Sequence, residues 1–531
     1  PPRWRSLLAF VQLSDLHITD VQSPARIEFL DRHGDDDSPH AAALGRVGVY
    51  RAQEALTFQV LEAMTRAVRA ALDAGGPATG APFAFAVSTG DNVDNCQRNE
   101  LDAYLTLLEG GEVRPDSGDP QRYEGVGGPD CCDERYWHPD GTPAGAEDDL
   151  PRAQRGFPTV PGLLDACRRP FLAGGIGLPW YAVYGNHDSL LVGTTAPDKA
   201  LGELVVGGSK PVAFAGEIDP VELLAETERG PAPISWGEAA YRSRPVTPDP
   251  QRRFVDPAEW LAAHLEAGGD PSGHGFDAAA VAAERAYYAA DAGLVRLLVL
   301  DTVNREGGWQ GSLDAEQLAW LEGELVAGHA SYLDAEGEPV RSGNPDRLFV
   351  LFSHHSLETL INPYSLEGAV RLLGDDLVAL LGRFSNVVAY VNGHTHEHAV
   401  RPVPAGLGGF WQVTTGSHID WPQQCRLVEL ALDEESGDVL VVTELLDHAG
   451  LVDPRLGEPG DPMVVAGWSR ELSANAWQGR SRPEEPWGRG QARDRNCVLV
   501  WPAPFPVAEA LGRLAAAPEG GRAGAPAGSS E

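Results

Sequence analysis

Apolar residues along this chain gather in short unbroken runs, and polar residues of a narrow set of types follow each run. Leu7 to Ile18 (LLAFVQLSDLHI) ends in Asp15-Leu16-His17. Pro82 to Val87 leads into Ser88-Thr89-Gly90-Asp91, and Leu178 to Tyr184 into Gly185-Asn186-His187-Asp188. Val295 to Leu300 precedes Asp301-Thr302-Val303-Asn304, and Arg347 to Phe352 precedes Ser353-His354-His355. Asn386 to Val391 precedes Asn392-Gly393-His394-Thr395-His396. Runs this short, lacking the alternation of a half-wetted strand, predict strands buried on both faces. Gly409 to Gly416, Cys425 to Leu432 and Val439 to Leu446 predict three more, with Glu434 to Asp438 as a turn.

Between the runs the period changes to that of a helix. Tyr50 to Asp73, Arg98 to Leu108, Ser312 to Leu325 and Glu367 to Leu381 fit helices, the third with a capping-type start, and Pro257 to Glu266 is a helical patch. Strands alternating with helices predict an α/β core, here residues 8–450. Two stretches interrupt it: a Gly/Pro/Asp-rich loop over about 110–160 and an irregular insertion over about 195–285. Residues 451–514 are expected to form a loop-rich extension lying on the core. The Ala/Gly/Pro/Ser tail 515–531 has no means of packing and is expected to be disordered.

Composition narrows the function classes. Of 531 residues, 43% are hydrophobic and 22% charged, as in an ordinary globular protein. No apolar run approaches the roughly 18 residues needed to span a bilayer. The net charge of −36, from 77 acidic against 41 basic residues, repels phosphate backbones and argues against a nucleic-acid partner. It leaves room for a small anionic substrate drawn to a locally positive metal site. The six cysteines show no CxxC spacing, which excludes the usual structural zinc site; a disulfide from Cys131 or Cys132 to Cys96 or Cys167 is expected. The chain opens at Pro1 with no visible signal peptide; either a leader has been removed or the chain was trimmed, and export with a removed leader is the expectation, with a cytoplasmic place as the alternative.

The chemistry lies at the strand ends. A Gly-Asp step after a buried strand places a carboxylate in the crevice where open α/β sheets keep their sites. Asp15 and His17, two apart on an extended backbone, would share a face and chelate a cation. Five strand ends carry Asp-x-His, Gly-Asp, Gly-Asn-His-Asp, His-His and Gly-His-x-His. Carboxylate, imidazole and amide donors without a thiolate suit Mn²⁺, iron or Zn²⁺ and suit copper poorly.

In this order, Asp15-x-His17, Gly90-Asp91-x-x-Asp94-Asn95, Gly185-Asn186-His187-Asp188, His354 and Gly393-His394-x-His396 resemble the calcineurin-like metallophosphoesterases over roughly residues 8–450. Within them the chain is similar to an actinobacterial-type branch whose members often carry export leaders. The resemblance implies a four-layer α/β/β/α sandwich of two mixed sheets flanked by helices. It implies two divalent ions, one held by Asp15, His17 and His396, the other by Asn186, His354 and His394, with Asp91 bridging. His354 is preferred to His355 by its place in the family pattern, and His398 lies outside that pattern.

The implied reaction is hydrolysis of phosphate mono- or diesters by in-line attack of a metal-bridging hydroxide. His187 would be the general acid, oriented by Asp188. Asp94 stands where purple acid phosphatases carry a metal-bound tyrosine, so a colourless site is expected. The loop Asn304 to Ser312 and the segment Gly416 to Trp421 are candidate pocket walls. The alternatives are a non-catalytic, metal-stabilised binding or scaffold protein, which would not need the His187-Asp188 pair, and a nuclease, which the charge disfavours.

Overall fold

The computed structural model describes residues 3–516, except 36–37, 45–49, 132, 143–144, 217–220, 222–240 and 477–487. Two mixed sheets of six strands each form the centre. The first has the order Cys497–Trp501, Val439–Asp447, Gln424–Asp433, Trp4–Leu13, Phe85–Ser88, Trp180–Ala182, with its last three strands parallel. The second has the order Ala399–Ala405, Gly408–Thr414, Val387–Asn392, Leu348–Phe352, Val295–Val299, Tyr288–Ala292, with its middle four strands parallel. Parallel strands bring their carboxyl ends to one edge, and every strand end with candidate chemistry belongs to one of these two parallel blocks.

The sheets pack face to face through aromatic side chains. Phe10 stacks on Phe85 at 5.4 Å and meets Phe352 of the other sheet edge-on at 5.4 Å. On the outside of the second sheet Leu298, Phe349 and Leu351 pack against Leu321 and Leu325 of helix Ala315–Ala327 and Leu377 and Leu381 of helix Gly374–Leu381. Helices Thr57–Ala71 and Arg98–Glu109 cover the first sheet with Leu61, Met64, Val68, Leu101 and Leu108. The arrangement is therefore the four-layer α/β/β/α sandwich. Among the described residues no helix is long and apolar enough to cross a membrane.

The structure departs from the sequence reading in four places. The first strand stops at Leu13 and does not run to Ile18. Asp15 and His17 have φ of 51° and 45°, the left-handed region, so their convergence comes from a coiled loop and not from strand alternation. The helix expected from Glu367 begins only at Gly374: Leu372 is paired to Leu313 as an isolated bridge, and Asp376 accepts the Leu373 N–H at 2.8 Å to start the helix there.

The C-terminal extension is less loop-like than expected. Asp461 caps helix Pro462–Asn475, with proline in the first turn where its missing N–H costs nothing, and Cys497–Trp501 forms the edge of the first sheet. Met463 and Ala466 of that helix pack on Val60 and Ala63. Finally, Cys96, Cys131 and Cys167 are free thiols. Cys167 is buried against Val464 and Trp468 while Cys131 packs near Tyr50 and Val126, so the two lie in different clusters. Cys132 and the tail from residue 517 lie outside the described residues.

The first insertion is stitched to the C-terminal helix and the second to the core. Trp137 and Phe157 of the first pack with Val464 and Trp468, and the Trp137 indole N–H donates to Pro158 O at 2.9 Å. His138 sits between the carbonyls of Gly127 and Asp133 and has a structural role. In the second, the buried Lys210 ammonium donates to Val21 O, Ser23 O and Glu28 at 2.7–3.2 Å, pinning the long loop after the first strand.

Candidate metal centre

The loops after the first two strands run side by side. The N–H groups of Asp15, His17 and Ile18 donate to the carbonyls of Gly90, Asp91 and Asn92 at 2.9–3.1 Å. Glycine is required where other loops press in: a Cβ on Gly185 would collide with the Asp91 amide, and one on Gly393 with Ser14 and Asp15. Asp15, His17, Asp91, His394 and His396 all have positive φ, between 45° and 69°. Left-handed conformations are uncommon for such residues and gather at functional sites, where the surrounding fold holds them.

These loops bring six of the seven expected ligands into one buried cluster. His17 and His396 face each other Nε2 to Nε2 at 3.1 Å. Asp94 Oδ1 stands 2.7 Å from His17 Nδ1, and Asp420 Oδ2 2.7 Å from His396 Nδ1. Carboxylates only accept, so both Nδ1 atoms carry hydrogen and both Nε2 lone pairs point at the same spot. His354 Nε2 and His394 Nδ1 form a second facing pair at 3.0 Å, with His354 Nδ1 donating to Thr89 O at 2.9 Å. Asp91 Oδ2 lies between the pairs, 3.1 Å from His354 Nε2 and 3.8 Å from His17 Nε2. Asp15 Oδ1 is 3.4 Å from His396 Nε2, and both its oxygens accept the His394 N–H.

Two imidazole lone pairs aimed at each other repel unless positive charge lies between them. Protonation divides accordingly. Burial opposes it, but Asp15 and Asp420 raise His396 to about 9, while burial and His187 push His17 down to about 4. Asp91 likewise raises His354 to about 9 against burial, and burial with His355 pushes His394 well below its ordinary value. In each facing pair burial and the neighbouring charges thus make one imidazole a much stronger base than the other.

The seventh residue supplies an independent sign. Asn186 donates its Nδ2 to Gly193 O at 3.0 Å, which leaves its buried Oδ1 with no hydrogen-bond partner. An amide oxygen buried without a donor is costly, and a cation removes that cost. Carboxylate and imidazole donors, in groups whose ligand atoms lie within 4.8 Å of one another, fit two divalent ions sharing Asp91, and the unpartnered Asn186 oxygen adds a donor of a type such ions accept. His355 belongs to one such group by distance, but its nitrogens face Thr302 Oγ1 at 2.8 Å and Trp309 O at 3.1 Å, so it braces the loop. His398 Nδ1 accepts the Gly416 N–H at 3.0 Å, a structural bond outside the cluster.

His187 is the cluster's partly open edge. Its Nε2 lies 4.0 Å from Asp91 Oδ2, and its Nδ1 lies 2.9 Å from Asp94 O and 3.2 Å from Asp94 Oδ1. The orienting carboxylate is therefore Asp94, and the role expected of Asp188 is corrected. Asp188 accepts from the backbone N–H of Asn92, Val93 and Gly185 and from Asn92 Nδ2, all within 3.1 Å. Four donors hold it as the staple that fixes the Asp91 loop to the Gly185 turn.

No protein-family model and no curated protein sequence matches the chain. Among solved structures it is similar to a dimetal phosphatase from Danio rerio, at 12% identity and a TM-score of 0.36, covering 83% of this chain and 97% of that one. It is also similar to the sulfate thiohydrolase SoxB from Termus thermophilus, solved with glycerol, at 14% identity and a TM-score of 0.26, covering 81% of this chain and 54% of that one.

The cluster rests on an ionic arc that sequence reading did not find. Arg26 pairs with Asp94 and, at 2.7 Å, with Glu54; Arg51 Nε pairs with Asp420 Oδ1 at 2.8 Å, and its N–H donates to Glu54. Against the effect of burial, Arg26 and the two histidines hold Asp94, and Arg51 and His396 hold Asp420, below the usual carboxylate range. Both are ionised behind the His17–His396 pair. Asp420 lies in the Gly416 to Trp421 segment expected to wall a pocket, yet it and His418 are buried and brace the ligand loops from behind. No local pattern marks Arg26, Arg51 or Glu54, since the carboxylates that the two arginines reach behind the histidines, Asp94 and Asp420, are distant in sequence.

Proposed function

We propose that this chain is a di-metal hydrolase of phosphate esters. The observation that carries the reading is the pair of facing imidazole couples, each converging its lone pairs on one spot, with the Asp91 carboxylate between them. Asp15, His17 and His396 would hold one divalent ion, Asn186, His354 and His394 the other, and Asp91 both. Such ions polarise phosphoryl oxygens and activate water at neutral pH. The chain's own residues account for the rest. Asp94 and Asp420 keep the Nδ1 hydrogens of His17 and His396 in place, so their Nε2 lone pairs stay turned to the centre. His187, held at Nδ1 by Asp94, presents Nε2 at the open edge, where it can give a proton to a departing alkoxide.

The locally positive centre draws an anionic ester into a chain whose net charge is −36. The test is hydrolysis of p-nitrophenyl phosphate and bis-p-nitrophenyl phosphate by protein reconstituted with Mn²⁺, iron or Zn²⁺, with metal counted by mass spectrometry. The reading predicts two ions per chain and turnover of at least one ester, both lost in Asp91→Ala. Stoichiometric metal with no turnover of either ester would leave a metal-stabilised scaffold as the better account.

A further inference from the structure

The di-metal reading leaves the substrate's leaving group unassigned, and one feature at the rim of the centre bears on it. Trp309 stacks one face of its indole on the His394 imidazole, with 5.7 Å between centroids and 22° between planes, and the side chain remains 40% exposed. Its backbone is held tightly. Trp309 O accepts from His355 Nε2 at 3.1 Å, and Asn362 Nδ2 donates to Gly307 O and Gln310 O at 2.9 and 3.2 Å. Gly311 exchanges backbone bonds with Thr359 and Asn362. A solitary surface tryptophan on a mobile loop would need no explanation. An indole whose backbone is braced on both sides, stacked on a candidate metal ligand and still 40% exposed, is preorganised for a flat partner.

The same loop is tied to the open edge at His187. Gly308 N–H donates to Thr194 O at 2.9 Å, and Gly193 lies so close that a Cβ there would collide with the His187 ring. The indole and the proton donor are thus two positions on one rim. The neighbouring segment 361–370, tied to this loop by the Leu366 N–H donating to Glu306, carries the exposed apolar side chains Ile361, Leu366 and Val370.

Resting on the phosphoester reading, we propose that Trp309 is a specificity residue that stacks an aromatic leaving group, so that the substrates are aryl or nucleobase-bearing phosphoesters and not esters of small polar alcohols. Stacking on an aromatic side chain raises affinity by roughly 5- to 150-fold. The test is calorimetric binding of phenylphosphonate and methylphosphonate to the metal-reconstituted full chain, with metal content measured in parallel. Phenylphosphonate is expected to bind about tenfold more tightly than methylphosphonate. Trp309→Ala should erase that ratio without changing metal content, and Trp309→Phe should restore most of it. In turnover, Trp309→Ala should raise KM for phenyl phosphate and leave that for glycerol phosphate unchanged.

Equal binding of the two phosphonates, or an equal loss of both in Trp309→Ala, would overturn the stacking proposal and leave the hydrolase reading standing. Metal-loaded protein that binds neither phosphonate would overturn both.

Discussion

Asp420→Asn tests whether the buried carboxylates behind the histidines set the metal affinity. Asp420 offers one oxygen to Arg51 Nε at 2.8 Å and the other to His396 Nδ1 at 2.7 Å. Asparagine has the same shape but only one acceptor. Arg51 is donor-only, so the amide oxygen turns to it and the NH₂ group faces His396 Nδ1. That nitrogen must then accept, the hydrogen moves to Nε2, and the lone pair aimed at His17 is lost. Changes to groups backing a metal-ligating histidine cost about 10- to 100-fold in affinity, or roughly 1.4–2.8 kcal/mol. The second facing pair, His354 and His394, keeps its tautomers because His354 donates to Thr89 O. The variant should therefore bind one ion normally and the other about 10- to 100-fold more weakly. Competition with a chromogenic chelator, together with metal counting, reads both constants. Two unchanged affinities, or an equal loss at both sites, would refute the reasoning.

Three further outcomes follow from the same geometry. His187→Ala should keep both ions, since the imidazole stands at the edge of the cluster, and should lower kcat about 10²- to 10⁴-fold for alkyl esters but much less for p-nitrophenyl esters, whose leaving group needs no proton; steady-state kinetics on both classes checks it. Buried His329 accepts the Asn386 N–H at its Nε2, and burial pushes it down to about 4 although Leu325 O and Asp346 favour the cation. The unfolded chain takes up this proton near 6.5 and the folded chain only near 4, so stability is full above 6.5 and falls by up to roughly 3 kcal/mol as the pH drops to 4; urea melts across that window should show a shallower slope for His329→Gln. Phe352→Ala removes the side chain that joins the two sheets and should cost about 3–5 kcal/mol in denaturant unfolding.

Much of the architecture was legible because buried parallel strands leave a strong signal: the runs Leu348 to Phe352 and Val387 to Val391 carry no charged or amide side chain, as their burial on both faces requires. Candidate ligands were legible because each follows such a run directly. The sequence by itself thus determined the α/β class, the strands, and a set of carboxylate, imidazole and amide donors at strand ends.

Which of those donors meet was decided only by tertiary structure. Asp188 is the carboxylate that the sequence sets beside His187, but backbone N–H groups occupy it and the fold places Asp94 at the imidazole. Asp15 and His17 converge through left-handed turns that the Asp91 and His394 loops impose, against the local preference for extended backbone. Arg26, Arg51 and Glu54 carry no sequence signal, and Asp420 lies in a segment marked only as a pocket wall. Charge pairing in a low-dielectric interior depends on distance in space, and His396 lies 24 residues and Arg51 369 residues from the carboxylate that joins them.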